Sequence, residues 1–129
     1  MDRFTEKRGQ SLISDHPRTG DIFLVDLDPT KGSEQQGKRP VIIFQNPSLI
    51  HYTKTYICIP LTTNLSRSTI PGTCFIKRGA GVTYDSIALC FQLRAIDKSR
   101  LTKKLGTLDK TTIASLADGI LSAMGIEIQ

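Results

Sequence analysis

Arg39 ends a polar segment and, with Pro40, opens the apolar run Val41-Ile42-Ile43-Phe44. An arginine at such a junction has a substrate-facing loop on one side and a rigid strand on the other. Its planar guanidinium donates two parallel hydrogen bonds to a phosphate, which suits it to steadying a crowded phosphorane. If a ribose 2′-OH attacks the neighbouring phosphorus, the site must also accept that proton and return one to the leaving 5′-oxygen. Exposed arginines are more often solvated or paired at the surface, so this assignment competes with a bland one.

Two further groups have the right functional atoms. Lys31-Gly32-Ser33-Glu34-Gln35-Gln36-Gly37-Lys38 sets a carboxylate and two amides between glycines and cations. That mixture offers base-edge donors and acceptors together with phosphate contacts, as single-stranded RNA requires, although an inert flexible loop would have much the same composition. Thr62-Thr63-Asn64 closes an apolar run containing Pro60, and its hydroxyls and amide could meet phosphate or read bases. Ordinary turn chemistry explains the same three residues.

Other chemistries lack their residues. No phosphate-binding glycine loop, zinc motif or dinucleotide turn occurs, so no metal or cofactor is expected. Cys58, Cys74 and Cys90 are odd in number and far apart, which fits buried thiols better than a disulfide framework or a metal site. His16 falls in a polar leader and His51 in a loop, and neither is assigned to catalysis. Seventeen Lys and Arg against 12 Asp and Glu give a net charge of +5, which favours phosphate partners but is equally compatible with simple solubility.

The elements that must position these residues follow from the apolar pattern. At 129 residues the chain suits one core. Residues 1–19 read as a flexible leader and 20–129 as the domain. Strands are expected at Ile22-Phe23-Leu24-Val25, at Val41-Ile42-Ile43-Phe44 and at Tyr56-Ile57-Cys58-Ile59-Pro60-Leu61, the last two covered on both faces. Two more are expected at Thr73-Cys74-Phe75-Ile76-Lys77 and Ser86-Ile87-Ala88-Leu89-Cys90-Phe91, around a Gly79-Ala80-Gly81 turn. Pro60 implies a bulge, an edge or a strand end just before Thr62. Asp109 is an N-cap for an amphipathic helix carrying Ile113, Leu116, Ala117, Ile120, Leu121 and Met124, which Gly125 stops. Short strands at regular spacing suggest a barrel, and no apolar run of membrane length appears, so the cytoplasm is the expected compartment.

The blocks GDIFLVDLDPTKGSEQQGKRPVIIFQN, ICIPLTTN and SIALCFQLRAIDKSRL, followed by the closing helix, resemble the MazF/PemK family of toxin–antitoxin ribonucleases from about Gly20 onward. That resemblance implies a mainly β, α+β fold: a small SH3-like barrel of the plasmid-maintenance toxin type, with a C-terminal helix, pairing as a homodimer. It implies a sequence-specific, metal-independent endoribonuclease that cuts single-stranded mRNA to 2′,3′-cyclic phosphate and 5′-hydroxyl ends and arrests growth. Arg39 and Thr62 take the catalytic roles. Lys31, Ser33, Glu34, Gln35, Gln36, Thr63, Asn64 and Gln92 become candidate RNA contacts.

Two departures bear on the site. Phe91 precedes Gln92 where many relatives carry an acidic or amide residue, which leaves the general base unassigned and offers an aromatic face for a base to stack on. Leu89 stands where the PemK branch has a catalytic arginine. The implied partners are RNA, a second copy of the chain and a cognate MazE-like antitoxin with an acidic, disordered segment. The competing readings are a non-catalytic CcdB-like gyrase poison and a binding module for RNA or antitoxin, since one barrel supports several functions.

Overall fold

Ile22, Ile42 and Ile59 stand in register on three neighbouring antiparallel strands, and all three are fully buried. The computed structural model describes residues 16–27 and 37–127. These form β1 (Asp21–Asp26), β2 (Lys38–Ile43), β3 (Thr55–Thr62), β4 (Thr73–Ile76), β5 (Ser86–Leu89), β6 (Arg94–Asp97), β7 (Leu101–Thr107) and α1 (Lys110–Met124). The strand order is β4-β5-β3-β2-β1-β7, with β6 also on β3, and each pairing is antiparallel.

Side chains alternate across a strand, so the apolar run of β2 serves two cores. Ile42 joins Ile22, Ile59, Leu61, Ile76, Ala88 and Leu116, whereas Val41 and Ile43 join Val25, Tyr56, Cys58 and Ile96. Fully burying one such aliphatic side chain contributes about 1.5–3 kcal/mol, so these runs dominate the stability of the middle strands. The two ends of the strand order also meet. A Cβ placed on Gly106 of β7 would lie 2.8 Å from Gly81 Cα in the β4-to-β5 turn, so the sheet curls until its ends touch. The result is the small, mainly β barrel with one C-terminal helix that the sequence leads one to expect.

Pro60 does not end its strand. On the edge away from β2, β3 pairs with β6 from Thr55 to Cys58 and with β5 at Leu61 and Thr62. Pro60, which has no N–H to donate, falls in the step between those partners, where that edge of the ladder is already interrupted.

Two expectations need correction. The fifth strand stops at Leu89, and Cys90–Gln92 forms a 3-10 turn, because Phe91 N donates to Gly72 O at 3.2 Å instead of continuing the ladder. β6 and β7 were not anticipated: the exposed lysines of Leu101–Thr107 hide a strand that is held by its pairing to β1.

α1 follows its sequence signals. The Asp109 carboxylate accepts from Thr112 N at 2.8 Å, and Gly125 ends the helix with φ of 73°. Its buried face is narrower than the apolar stripe: Leu116 and Gly119 are buried, with Gly119 close against Cys90, while Met124 is 59% exposed. No helix among the described residues is long and apolar enough to cross a membrane.

The start of β1 is tied to the end of β7. The buried Asp21 carboxylate accepts from Arg18 N and from Thr107 Oγ1, both at 2.9 Å. Gly20 N donates to Ile43 O at 2.7 Å, so the segment just before β1 also meets the end of β2. Of the expected leader, residues 1–15 lie outside the described part of the chain.

Candidate active site

The β2 and β3 ladder pairs Val41 with Pro60, Ile42 with Ile59 and Ile43 with Cys58. The β2–β3 pairing ends at Val41 and Pro60, with Arg39 two residues earlier on β2 and Thr62 two residues later on β3. Both line one cleft of about 320 Å³, with Pro40, Leu61 and Leu89 as its apolar wall. Arg39 is exposed, as a residue meeting a polymer must be, and Thr62 is half-buried.

Local hydrogen bonds fix the end of β3. Asn64 N donates to Thr62 Oγ1 at 3.1 Å, which orients the hydroxyl and leaves its proton to be donated elsewhere. Asn64 Oδ1 in turn accepts from Ser66 N and Ser66 Oγ at 3.2 and 2.6 Å, capping the short 3-10 helix Leu65–Thr69. The turn chemistry that Thr62-Thr63-Asn64 suggested is therefore present for Asn64, beside its place in the cleft wall.

Of the sequence candidates, Arg39, Thr62, Thr63, Asn64 and Gln92 all line this cleft. Lys31, Ser33, Glu34, Gln35 and Gln36 lie outside the described residues. The chain leaves β1 for that segment next to the site, since Asp26 pairs with Lys38, the neighbour of Arg39. Leu89 lines the cleft, whereas Phe91, 38% exposed, is not among its lining residues.

Sequence reasoning missed Arg67 and Ser86, which also line the cleft. Arg67 sits on the 3-10 helix, and the only local signal for it was the capping pair Asn64 and Ser66. Among the described lining residues there are two arginines and no Asp, Glu or His. A cleft lined by one sign of charge focuses its field on anions, which here favours phosphate.

Other reactive groups are set aside by burial. Burial pushes the Cys58 thiol up to about 12, against a smaller lowering by Arg94, and pushes Cys90 up to about 11. Such thiols are not nucleophiles near neutral pH. Among the described residues no three His, Cys, Asp or Glu side chains gather as a metal site would require.

The fold and site together are a curled, mainly β barrel with a cationic, hydroxyl-bearing cleft between β2 and β3. The model of the PemK-like, MazF-like toxin of type II toxin-antitoxin systems matches residues 18–124. The chain is 36% identical over 110 residues to the endoribonuclease MazF of Staphylococcus epidermidis, covering 84% of this chain and 92% of that protein. A mycobacterial endoribonuclease, solved in complex with its cognate antitoxin, superposes with a TM-score of 0.73 at 20% identity, over 88% of this chain and all of its own. MazF from Deinococcus radiodurans superposes at 0.69 and 22% identity, over 85% of this chain and 97% of its own. The chain belongs to the PemK-like, MazF-like toxin family of type II toxin-antitoxin systems, and within it to the endoribonucleases.

Proposed function

We propose that this toxin cuts single-stranded RNA, selecting a short sequence and using no metal ion, with the cleft between β2 and β3 as its catalytic centre. The observation that carries the reading is that Arg39 and Thr62 line one cleft whose described lining has no carboxylate. The Arg39 fork steadies the charge that gathers on the phosphate oxygens as the 2′-OH attacks. The oriented Thr62 hydroxyl donates to the same centre. The products are then a 2′,3′-cyclic phosphate and a 5′-hydroxyl, and destruction of messages in the cytoplasm stops growth.

Thr63, Asn64 and Gln92 meet the bases or phosphates beside the cut, and Lys31, Ser33, Glu34, Gln35 and Gln36 extend that contact from the segment that leaves β1 next to Arg39. The active unit is a homodimer, neutralised by a MazE-like antitoxin. The mycobacterial relative solved with its cognate antitoxin supports that partnership, and the +5 charge suits an acidic binding segment.

The test is to incubate the protein with a long, weakly structured RNA in EDTA and map each new end by sequencing. Cuts recurring at one short motif, with cyclic phosphate on the upstream fragment, support the reading. Cuts that need an added divalent ion, or that leave 3′-hydroxyl ends, overturn it.

A further inference from the structure

Arg67 lines the cleft, and its Nε–H is one donor that the fold does not satisfy. Its Nε is buried with no hydrogen-bond partner among the described residues, and it is the side-chain polar atom there of which that is true. Buried N–H groups are almost always paired, so this orphan gains an acceptor from a ligand only when the side chain turns toward the cleft. Arg67 lines the same cleft as Arg39 and Thr62, and the described lining offers no carboxylate to neutralise it.

Its position relative to the reacting centre is fixed through the backbone. Arg67 N donates to Asn64 O at 3.1 Å, and Asn64 N donates to Thr62 Oγ1, also at 3.1 Å. At the far end of the 3-10 helix, Ile70 N donates to Arg67 O at 3.1 Å, and Thr73 Oγ1 of β4 donates to Ile70 O at 2.9 Å. These bonds fix the backbone from which the Arg67 side chain reaches the cleft.

We infer that Arg67 is a second phosphate-binding arginine, gripping an RNA phosphate other than the one being cut through Nε and an adjacent Nη. The assignment rests on the reading of this cleft as the RNA site. The fork matters as well as the charge: a lysine supplies a point charge but no N–H where Nε stands. Arg67 thereby sets where the strand lies across Arg39 and Thr62, and the reacting phosphate is left to those two.

The experiment measures binding of a single-stranded oligonucleotide with a 2′-O-methyl group at the mapped cut, which binds but is not cleaved, across a series of salt concentrations. Wild type, Arg67→Ala, Arg67→Lys and Arg67→Gln are compared, each shown to be folded by its melting curve. Loss of one phosphate contact flattens the slope of log affinity against log salt by about 0.7 for single strands. The expected result is that flattening in Arg67→Ala and Arg67→Gln, with Arg67→Lys keeping the slope but binding more weakly. Arg67→Ala or Arg67→Gln with the wild-type slope and affinity overturns the inference, whatever the melting temperatures do, because a purely structural arginine would lower those alone. A wild type that cuts RNA while these variants match it in binding sinks only the role of Arg67. A wild type that neither cuts nor binds RNA sinks the reading of the cleft, and this role with it.

Discussion

Arg39 on β2 and Thr62 on β3, each two residues beyond the paired Val41 and Pro60, line a single cleft. Groups that address one phosphate act as a unit, so their losses do not multiply. Arg39→Ala is expected to slow single-turnover RNA cleavage by about 10²–10³-fold, the usual cost of removing a donor from developing charge. Thr62→Val should slow it less, and the double variant should fall clearly short of the product of the two effects. Fully multiplicative losses would mean that the two residues serve separate steps.

Asp21 is a second point of leverage, for stability rather than cleavage. Asp21→Ala removes the acceptor of Arg18 N–H and of the Thr107 hydroxyl; both donors sit on exposed residues that water can reach, so each lost bond costs about 0.5–1.5 kcal/mol. Lys104 lies 3.5 Å from the same carboxylate but is half exposed, so the ion pair adds little. Urea denaturation reads the difference, and a variant as stable as wild type would show that this tie between β1 and β7 is redundant.

Gly106→Ala tests the closure of the barrel. The added methyl would meet Ala80 and Gly81 backbone atoms, with no flexible side chain to move aside. Overpacking of this kind costs about 1–3 kcal/mol. Gly79→Ala has open space at the same turn but needs φ of 118°, so any penalty there is conformational. A Gly106→Ala protein with an unchanged melting curve would mean that the ends of the sheet do not touch.

The buried thiols make the fold sensitive to alkali. Cys58 titrates at 9.0 when unperturbed and at about 12 in the folded chain, chiefly because burial disfavours the thiolate. Above pH 9 the unfolded chain therefore binds fewer protons than the folded one, and stability falls as pH rises toward 12. Cys90, pushed up to about 11 mainly by burial, adds to the loss in the same direction. At pH 8 the native protein should resist alkylation at both residues, whereas all three cysteines react once it is unfolded. Rapid native labelling of Cys58 would contradict its burial.

The strands built from continuous apolar runs were legible in the sequence, because Val41 to Ile43 and Ile57 to Leu61 leave no polar face to place in water. The helix was legible through its caps, Asp109 and Gly125. β7 was not, since its exposed Lys103 and Lys104 carry no apolar alternation and its place is set by a bulged, long-range pairing with β1. At the site, residue type made Arg39 and Thr62 two candidates among several and the family resemblance gave them their roles, but that both line one cleft depends on how β2 lies beside β3, which local composition does not encode. Arg67 was invisible for a related reason: it lies on a short turn whose one local sign is the Asn64 cap, and its value comes from where that turn lands.

The most direct measurement is cleavage of one RNA, in EDTA, by wild type and by Arg39→Ala at equal concentrations of folded protein. The account expects wild type to cut at a recurrent short motif and Arg39→Ala to lose that cutting with its melting temperature unchanged. Equal cutting by the two proteins, at the same positions, would contradict it and place the catalytic centre outside this cleft.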